Sequence, residues 1–212
     1  MSNTNHKIDS EGTVGLALSG SPVLDSATWE RIHANLVDRA DADGLVDVAF
    51  ERHDSPLGTI VLGATAQGLV RVGLPAEGED AVLDELARRV SLRVLRAPRS
   101  TLTQAHHQLD AYFEGRLRAF DVRLDWRLTG GFRREVLHAT AQIPCGQTSS
   151  YGRVAKRAGT AAAVRAAGTA LATNPLPIVV PCHRVLRTDG KLGGYRGGVE
   201  AKARLLELER IA

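Results

Sequence analysis

The sequence predicts an α+β protein: a small antiparallel-sheet unit over residues 46–128, followed by a mostly helical unit over residues 131–212 that contains a helix-turn-helix. Three observations carry this. Val46–Glu51 alternates apolar and polar, the period of a half-buried strand, and two more short strand-like runs follow it by Leu74. Past Thr129-Gly130-Gly131 the apolar spacing changes to that of helices. Charge divides at the same place: residues 131–212 hold 13 Lys/Arg against 5 Asp/Glu, whereas residues 1–130 hold 14 against 19.

Each element follows from local pattern. Residues 1–45 are polar and weakly patterned and read as a flexible arm, apart from a short helix from about Ser26 that gathers Trp29, Ile32, Leu36 and Val37. Val46–Glu51, Thr59–Ala64 and Leu69–Leu74 read as strands. Ser55-Pro56-Leu57-Gly58 and Ala66-Gln67-Gly68 read as the turns between them. Val82, Leu83, Leu86, Ala87 and Val90 make a helix of Asp80–Val90, and Thr103–Glu114 is a second, closed by Gly115. Phe120–Leu124 alternates as one more strand. In the basic half, helices are expected at Phe132–Ala141, Ser150–Ala158, Ala161–Ala172 and Val199–Arg210. The second and third of these are joined by Gly159-Thr160, a helix-turn-helix spacing.

Composition narrows the classes. Two cysteines, Cys145 and Cys182, exclude a disulfide scaffold and an all-thiolate zinc site, and place the chain in the reducing cytoplasm. No run approaches the length of a membrane span, and Met1–Gly20 lacks the pattern of a signal peptide. A basic half joined to an acidic half fits either a polyanionic partner for the basic half or an ordinary solvated basic surface.

Chemistry concentrates in Pro181-Cys182-His183-Arg184-Val185, which follows the apolar run Leu176–Val180. A thiol beside an imidazole is a nucleophile beside a base. Taken alone, the pair also fits a buried cysteine next to a surface histidine. The helix Ala161–Ala172 is nearly all small side chains, with Arg165 projecting from them, so its backbone can approach a minor groove only about 6 Å wide. Downstream, Lys191, Gly193, Gly194, Tyr195, Arg196, Gly197 and Gly198 form a glycine-rich basic loop, with Asp189-Gly190 as a turn. In the last helix, Lys202, Leu205 and Glu209 share a face. Glu209 then either turns inward to orient an imidazole or faces solvent near the helix end.

Several segments in register resemble the O6-alkylguanine-DNA alkyltransferases: Ile143–Tyr151, Ala163-Val164-Arg165-Ala166, Asn174-Pro175, Pro181–Val185 and Gly194–Gly198. The resemblance runs from about Phe132 to Glu209, and residues 46–128 look like the family's N-terminal unit. It implies direct repair of DNA by irreversible transfer of an alkyl group to Cys182. His183 would act through a water as base, Glu209 would hold the imidazole, and Asn174 would secure the turn carrying the thiol. Tyr151 would donate its hydroxyl to a flipped base. Arg165, Ala163 and Ala166 would meet the DNA, and Lys191 and Arg196 would add phosphate contacts. Val185, Tyr195 and Gly197 would line the base pocket. The relay implies that Cys182 titrates below the roughly 8.5 of a free thiol, and adjacency on an extended segment would place Cys182 and His183 apart. The resemblance implies a monomer with no cofactor and no metal. Some relatives carry an N-terminal zinc site, but this chain has no cysteine before Cys145. Competing readings are a binder of alkylated DNA without the transfer step, a Cys-His hydrolase, and a transcription factor using the helix-turn-helix alone.

Overall fold

The computed structural model describes residues 25–211. They open with α1, Ser26–Ala42, capped by Asp25, whose carboxylate accepts from the Thr28 N–H at 2.7 Å. The helix expected around Trp29 is therefore longer than its four apolar residues suggested, and its cap lies one residue earlier than Ser26. Residues 1–24 of the expected arm lie outside the described residues.

Three strands follow: β1 (Val48–His53), β2 (Ile60–Thr65) and β3 (Gly68–Gly73). β1 and β2 pair antiparallel, as do β2 and β3, and a bulge lies at Gly63/Ala64. α2, Glu79–Arg89, packs on one face, with Val82 and Leu86 buried. β4, Val94–Arg96, closes a sheet of order β3-β2-β1-β4 and pairs parallel to β1. The sheet is thus mixed, not wholly antiparallel, because α2 carries the chain back so that β4 enters in the direction of β1. α3, Ser100–Phe113, covers the other face with Leu102, Ala105, Leu109 and Tyr112. The strand expected at Phe120–Leu124 is absent. That segment meets β3 only at an isolated parallel bridge, Leu69 with Leu124, and is tied there by hydrogen bonds from Leu69 N to Arg123 O and from Asp125 N to Leu69 O, both 2.8 Å.

The second half is built on α4 (Gly131–Ala141), α5 (Tyr151–Arg157), α6 (Val164–Ala172) and α7 (Gly198–Ile211). Ser150 caps α5, its hydroxyl accepting from Arg153 N. α6 starts at Val164, three residues later than its alanine run suggests. Ala161–Ala163 offer no side-chain acceptor for the first free N–H groups, so they form the turn, and Ala163 is the N-cap. Ala167, Ala170 and Leu171 bury the inner face of α6. A two-residue parallel ladder joins β5 (Ser149–Ser150) to β6 (Val185–Leu186), which fixes the start of α5 beside the segment that follows Cys182.

One apolar cluster runs through both halves, from Leu62, Leu69 and Leu109 to Val136, Ala167, Ile178 and Leu205. Each fully buried Leu or Ile contributes about 1.5–3 kcal/mol, so the halves share their stabilisation. Val72 N donates to Pro175 O at 2.8 Å across the join.

Candidate active site

Asn174 organises the thiol loop. Its Nδ2 donates to Val180 O at 2.9 Å and faces Cys182 Sγ at 3.1 Å, while its Oδ1 accepts from Leu176 N at 3.0 Å. All three contacts are buried, and Leu176, Ile178 and Val180 are fully buried around them. Ile178 has a φ of 73°, a left-handed conformation costly for a β-branched residue. The hydrogen bonds of Asn174 on either side hold it there.

Cys182, His183 and Arg184 then form a single 3-10 turn, closed by Arg184 N donating to Pro181 O at 3.0 Å. The expected extended geometry is absent, because Pro181 at φ −79° and ψ 63° bends the chain into the turn. The turn separates the roles all the same. His183 is fully buried, and its Nε2 lies 2.8 Å from Glu209 Oε1. A carboxylate only accepts, so Nε2 carries the proton and Nδ1 is the basic nitrogen. Nδ1 is buried with no hydrogen-bond partner among the described residues.

Glu209 is 3% exposed, which settles that it faces inward. Arg184, buried beside it, donates Nε to Oε2 at 2.9 Å and Nη2 to Oε1 at 2.8 Å, and also reaches Ile143 O. The Tyr112 hydroxyl, from α3 in the other half, donates to Oε1 at 2.9 Å. Burial pushes the Glu209 carboxyl up, but hydrogen bonds from His183 and Arg184 outweigh it and hold the group at about 2. Burial lowers His183 against the pull of Glu209, so the imidazole is neutral near neutrality. The Cys182 thiol departs from the sequence expectation. Burial raises it to about 11, and the Asn174 contact and the charge of Lys202 recover only part of that. At rest it is a protonated thiol. Cys145 is half-buried on the turn after α4.

Tyr151 begins α5 with its ring against α6, 3.9 Å from where a Gly168 Cβ would lie. Its hydroxyl rests on the backbone of Gly193: a Cβ there would stand 3.1 Å from Tyr151 Cζ and inside contact of the hydroxyl. Tyr195 meets the His183 ring edge-on at 6.3 Å, and its hydroxyl is buried with no hydrogen-bond partner among the described residues. Gly197 packs on Leu74. Val185 is fully buried and its carbonyl accepts from Lys202 Nζ at 2.7 Å; Lys202 itself is fully buried.

The residues expected to meet DNA divide. Arg165 and Ala166 lie exposed on α6, Ala163 is half-buried at its N-cap, and Lys191 is exposed on the glycine-rich loop. Arg196 is placed differently. Its guanidinium is ion-paired to Glu77 and, at 3.2 Å, to Glu85, beside the fully buried Arg71, which binds the same two carboxylates. Its charge is turned toward the protein's own carboxylates. Sequence reasoning gave no role to Arg184, Tyr112, Lys202 or the Arg71–Glu77–Glu85 cluster. The apolar context of Arg184, and the place of Tyr112 on the stripe Leu102-Ala105-Leu109, were the available signals.

Two family models match the chain: "6-O-methylguanine DNA methyltransferase, DNA binding domain" over residues 131–211, and "6-O-methylguanine DNA methyltransferase, ribonuclease-like domain" over residues 44–126. The chain belongs to the 6-O-methylguanine DNA methyltransferase family. A methylated-DNA–protein-cysteine methyltransferase from Mycolicibacterium paratuberculosis is 39% identical over 170 residues, 77% of this chain and 93% of that protein. One from Methanosarcina acetivorans is 38% identical over 157 residues, 74% of this chain and 94% of that protein. Among solved structures, Mycobacterium tuberculosis OGT in complex with DNA superposes with a TM-score of 0.66 at 37% identity, over 77% of this chain and 93% of that one. The activity that goes with membership in the methyltransferase family is DNA repair by alkyl transfer to a protein cysteine. Among the described residues no helix is long and apolar enough to cross a membrane.

Proposed function

We propose that the chain repairs O6-alkylguanine in double-stranded DNA, with O4-alkylthymine a second substrate of the same chemistry, and that Cys182 is the acceptor. The observation that carries this reading is the arrangement around His183: its protonated nitrogen is fixed on Glu209, and its basic nitrogen is left without a partner one residue from a buried thiol. The thiol proton passes to Nδ1 through a water. Cys182 Sγ attacks the alkyl carbon in line, the S–C bond forms as the C–O bond breaks, and the base leaves. Negative charge developing on the base is met by a proton from the Tyr151 hydroxyl. The product is a thioether, which has no good leaving group, so each molecule acts once.

The buried site requires the base to leave the stack. Arg165 fills the gap, and the small exposed residues beside it let α6 lie close to the groove. Val185 and the Tyr195–Gly197 backbone line the base pocket. The protein acts as a monomer in the cytoplasm. The thiol itself weighs against a role confined to binding alkylated DNA. The test is incubation with duplex DNA carrying radiolabelled O6-methylguanine. Stoichiometric label on Cys182, lost in Cys182→Ala and kept in Cys145→Ser, is the expected result. Label on Cys145 in the Cys182→Ala protein would overturn the assignment.

A further inference from the structure

Glu209 is held from both halves of the molecule. Oε1 meets three donors: His183 Nε2 at 2.8 Å, Arg184 Nη2 at 2.8 Å and the Tyr112 hydroxyl at 2.9 Å. Oε2 takes Arg184 Nε at 2.9 Å and, weakly, Gly146 N at 3.4 Å. Among the described residues Tyr112 is the one donor on this carboxylate from the N-terminal half. It is 2% exposed, and its ring is set by Phe113 at 5.4 Å and Phe120 at 5.3 Å between centroids. Those ring contacts need only a phenyl group. The hydroxyl is spent entirely on the oxygen that also accepts from the base of the relay.

We propose that Tyr112 is a positioning residue for alkyl transfer: its hydroxyl shares Glu209 Oε1 with His183 and so sets the orientation and basicity of the imidazole. This rests on the reading of Cys182, His183 and Glu209 given above. A carboxylate bound by one neighbour can rotate, whereas an oxygen fixed by three donors from two elements cannot. Each donor also draws charge from Oε1 and leaves less to stabilise an imidazolium. Without the hydroxyl, Oε1 is a stronger partner for His183, its imidazole keeps a proton to higher pH, and on the acid side a smaller share is neutral and able to take the thiol proton. The other titratable groups around Glu209 and His183 are Arg184 on the same turn, Lys202 on α7, Tyr195 on the glycine-rich loop and Cys145 after α4, with Arg118 facing Cys145. All of them remain in Tyr112→Phe, so that substitution isolates the hydroxyl.

The experiment is single-turnover transfer against pH with the full chain, for wild type, Tyr112→Phe, Glu209→Gln and Cys182→Ala. Tyr112→Phe is expected to slow transfer at neutral pH by about tenfold, chiefly through the lost orientation of an imidazole that is still largely neutral there, below the range for losing a whole acid-base element. Its acid limb is expected to move up by about half a pH unit, the size of a modest change in one hydrogen-bonded neighbour. Carbon NMR of the His183 ring reads the same shift without turnover, and stays informative if the variant melts earlier. An unshifted limb and an unshifted imidazole, whatever the rate, would overturn the inference while Cys182→Ala stays inactive and Glu209→Gln slow. Transfer by Cys182→Ala would instead bring down the reading beneath it.

Discussion

Arg165 stands alone among small side chains on the exposed face of α6. Extruding a base costs roughly a few kcal/mol, and a side chain that fills the gap repays part of that. A free alkylated base needs no extrusion. Arg165→Ala is therefore expected to slow repair of duplex DNA by at least about tenfold, the rate equivalent of about 1.4 kcal/mol, and to leave the reaction with free O6-benzylguanine nearly unchanged. Both rates come from one quenched-flow series, and equal losses on the two substrates would remove the gap-filling role. The thiol and imidazole of Cys182 and His183 could be picked out from the residues themselves, whereas Asn174 and Tyr151 came only from the resemblance, and whether Glu209 turned inward was open until its burial was seen. Tyr112 and Arg184 were not legible in the sequence. They act through hydrogen bonds to another side chain, and that geometry exists only once α3, the thiol turn and α7 are packed together. The ion pairs of Arg196 were hidden for a related reason: the carboxylates on it come from a distant element.

At the scale of the element, the glycine-rich loop earns its composition at Gly193. No Cβ fits there without moving Tyr151, whereas a Cβ at Gly194 would meet nothing within 4 Å. Gly193→Ala is expected to displace the Tyr151 hydroxyl and slow transfer by about a hundredfold, the low end for losing one aimed hydrogen-bond donor. Gly194→Ala should behave as wild type, and the comparison of the two rates checks the assignment. The strands with clear alternation and the helices with clear periodicity could be read from the chain. β4 could not, because three residues in a parallel pairing carry no period of their own. Phe120–Leu124 had the alternation of a strand but lies beside β3 with a single bridge, so pattern without a ladder partner overstated it. The 3-10 turn at Cys182 depends on the bend at Pro181 and the contacts of Asn174, which no local period reports.

For the whole molecule, the charge division read from the chain acquires a shape. Among the basic residues of the C-terminal half, Arg184, Arg196 and Lys202 are consumed by internal contacts. Arg153, Arg165, Arg187 and Lys191 lie exposed on α5, α6 and the loop. If these four meet phosphates, affinity for duplex DNA should fall by about a hundredfold between 50 and 200 mM salt, from a log–log slope near −0.9 per phosphate. A salt titration by fluorescence anisotropy measures it, and a flat response would contradict the assigned face. The acidic half supplies Glu77 and Glu85 to Arg196 and Tyr112 to Glu209. The division into two units is clear in composition; in the packing one apolar cluster runs through both halves, and a second, around Val82 and Leu86, lies within the N-terminal half.

The depth at which Cys182 sits also bears on how long the protein can wait. On the proposed chemistry a molecule has one use, so anything that consumes the thiol beforehand wastes it. Oxidants and electrophiles in solution react with thiolate, and a thiol at about 11 is ionised in only about one molecule in ten thousand at neutral pH. At 4% exposure it is also nearly out of their reach. Shelf life and reactivity are thus separated: the thiol is kept inert by burial and is called on only when a base fills the pocket beside His183. Iodoacetamide should accordingly modify half-buried Cys145 well before Cys182 in the absence of DNA, as peptide mass spectrometry would show. Faster modification of Cys182 would mean that the thiol is already primed while the protein waits.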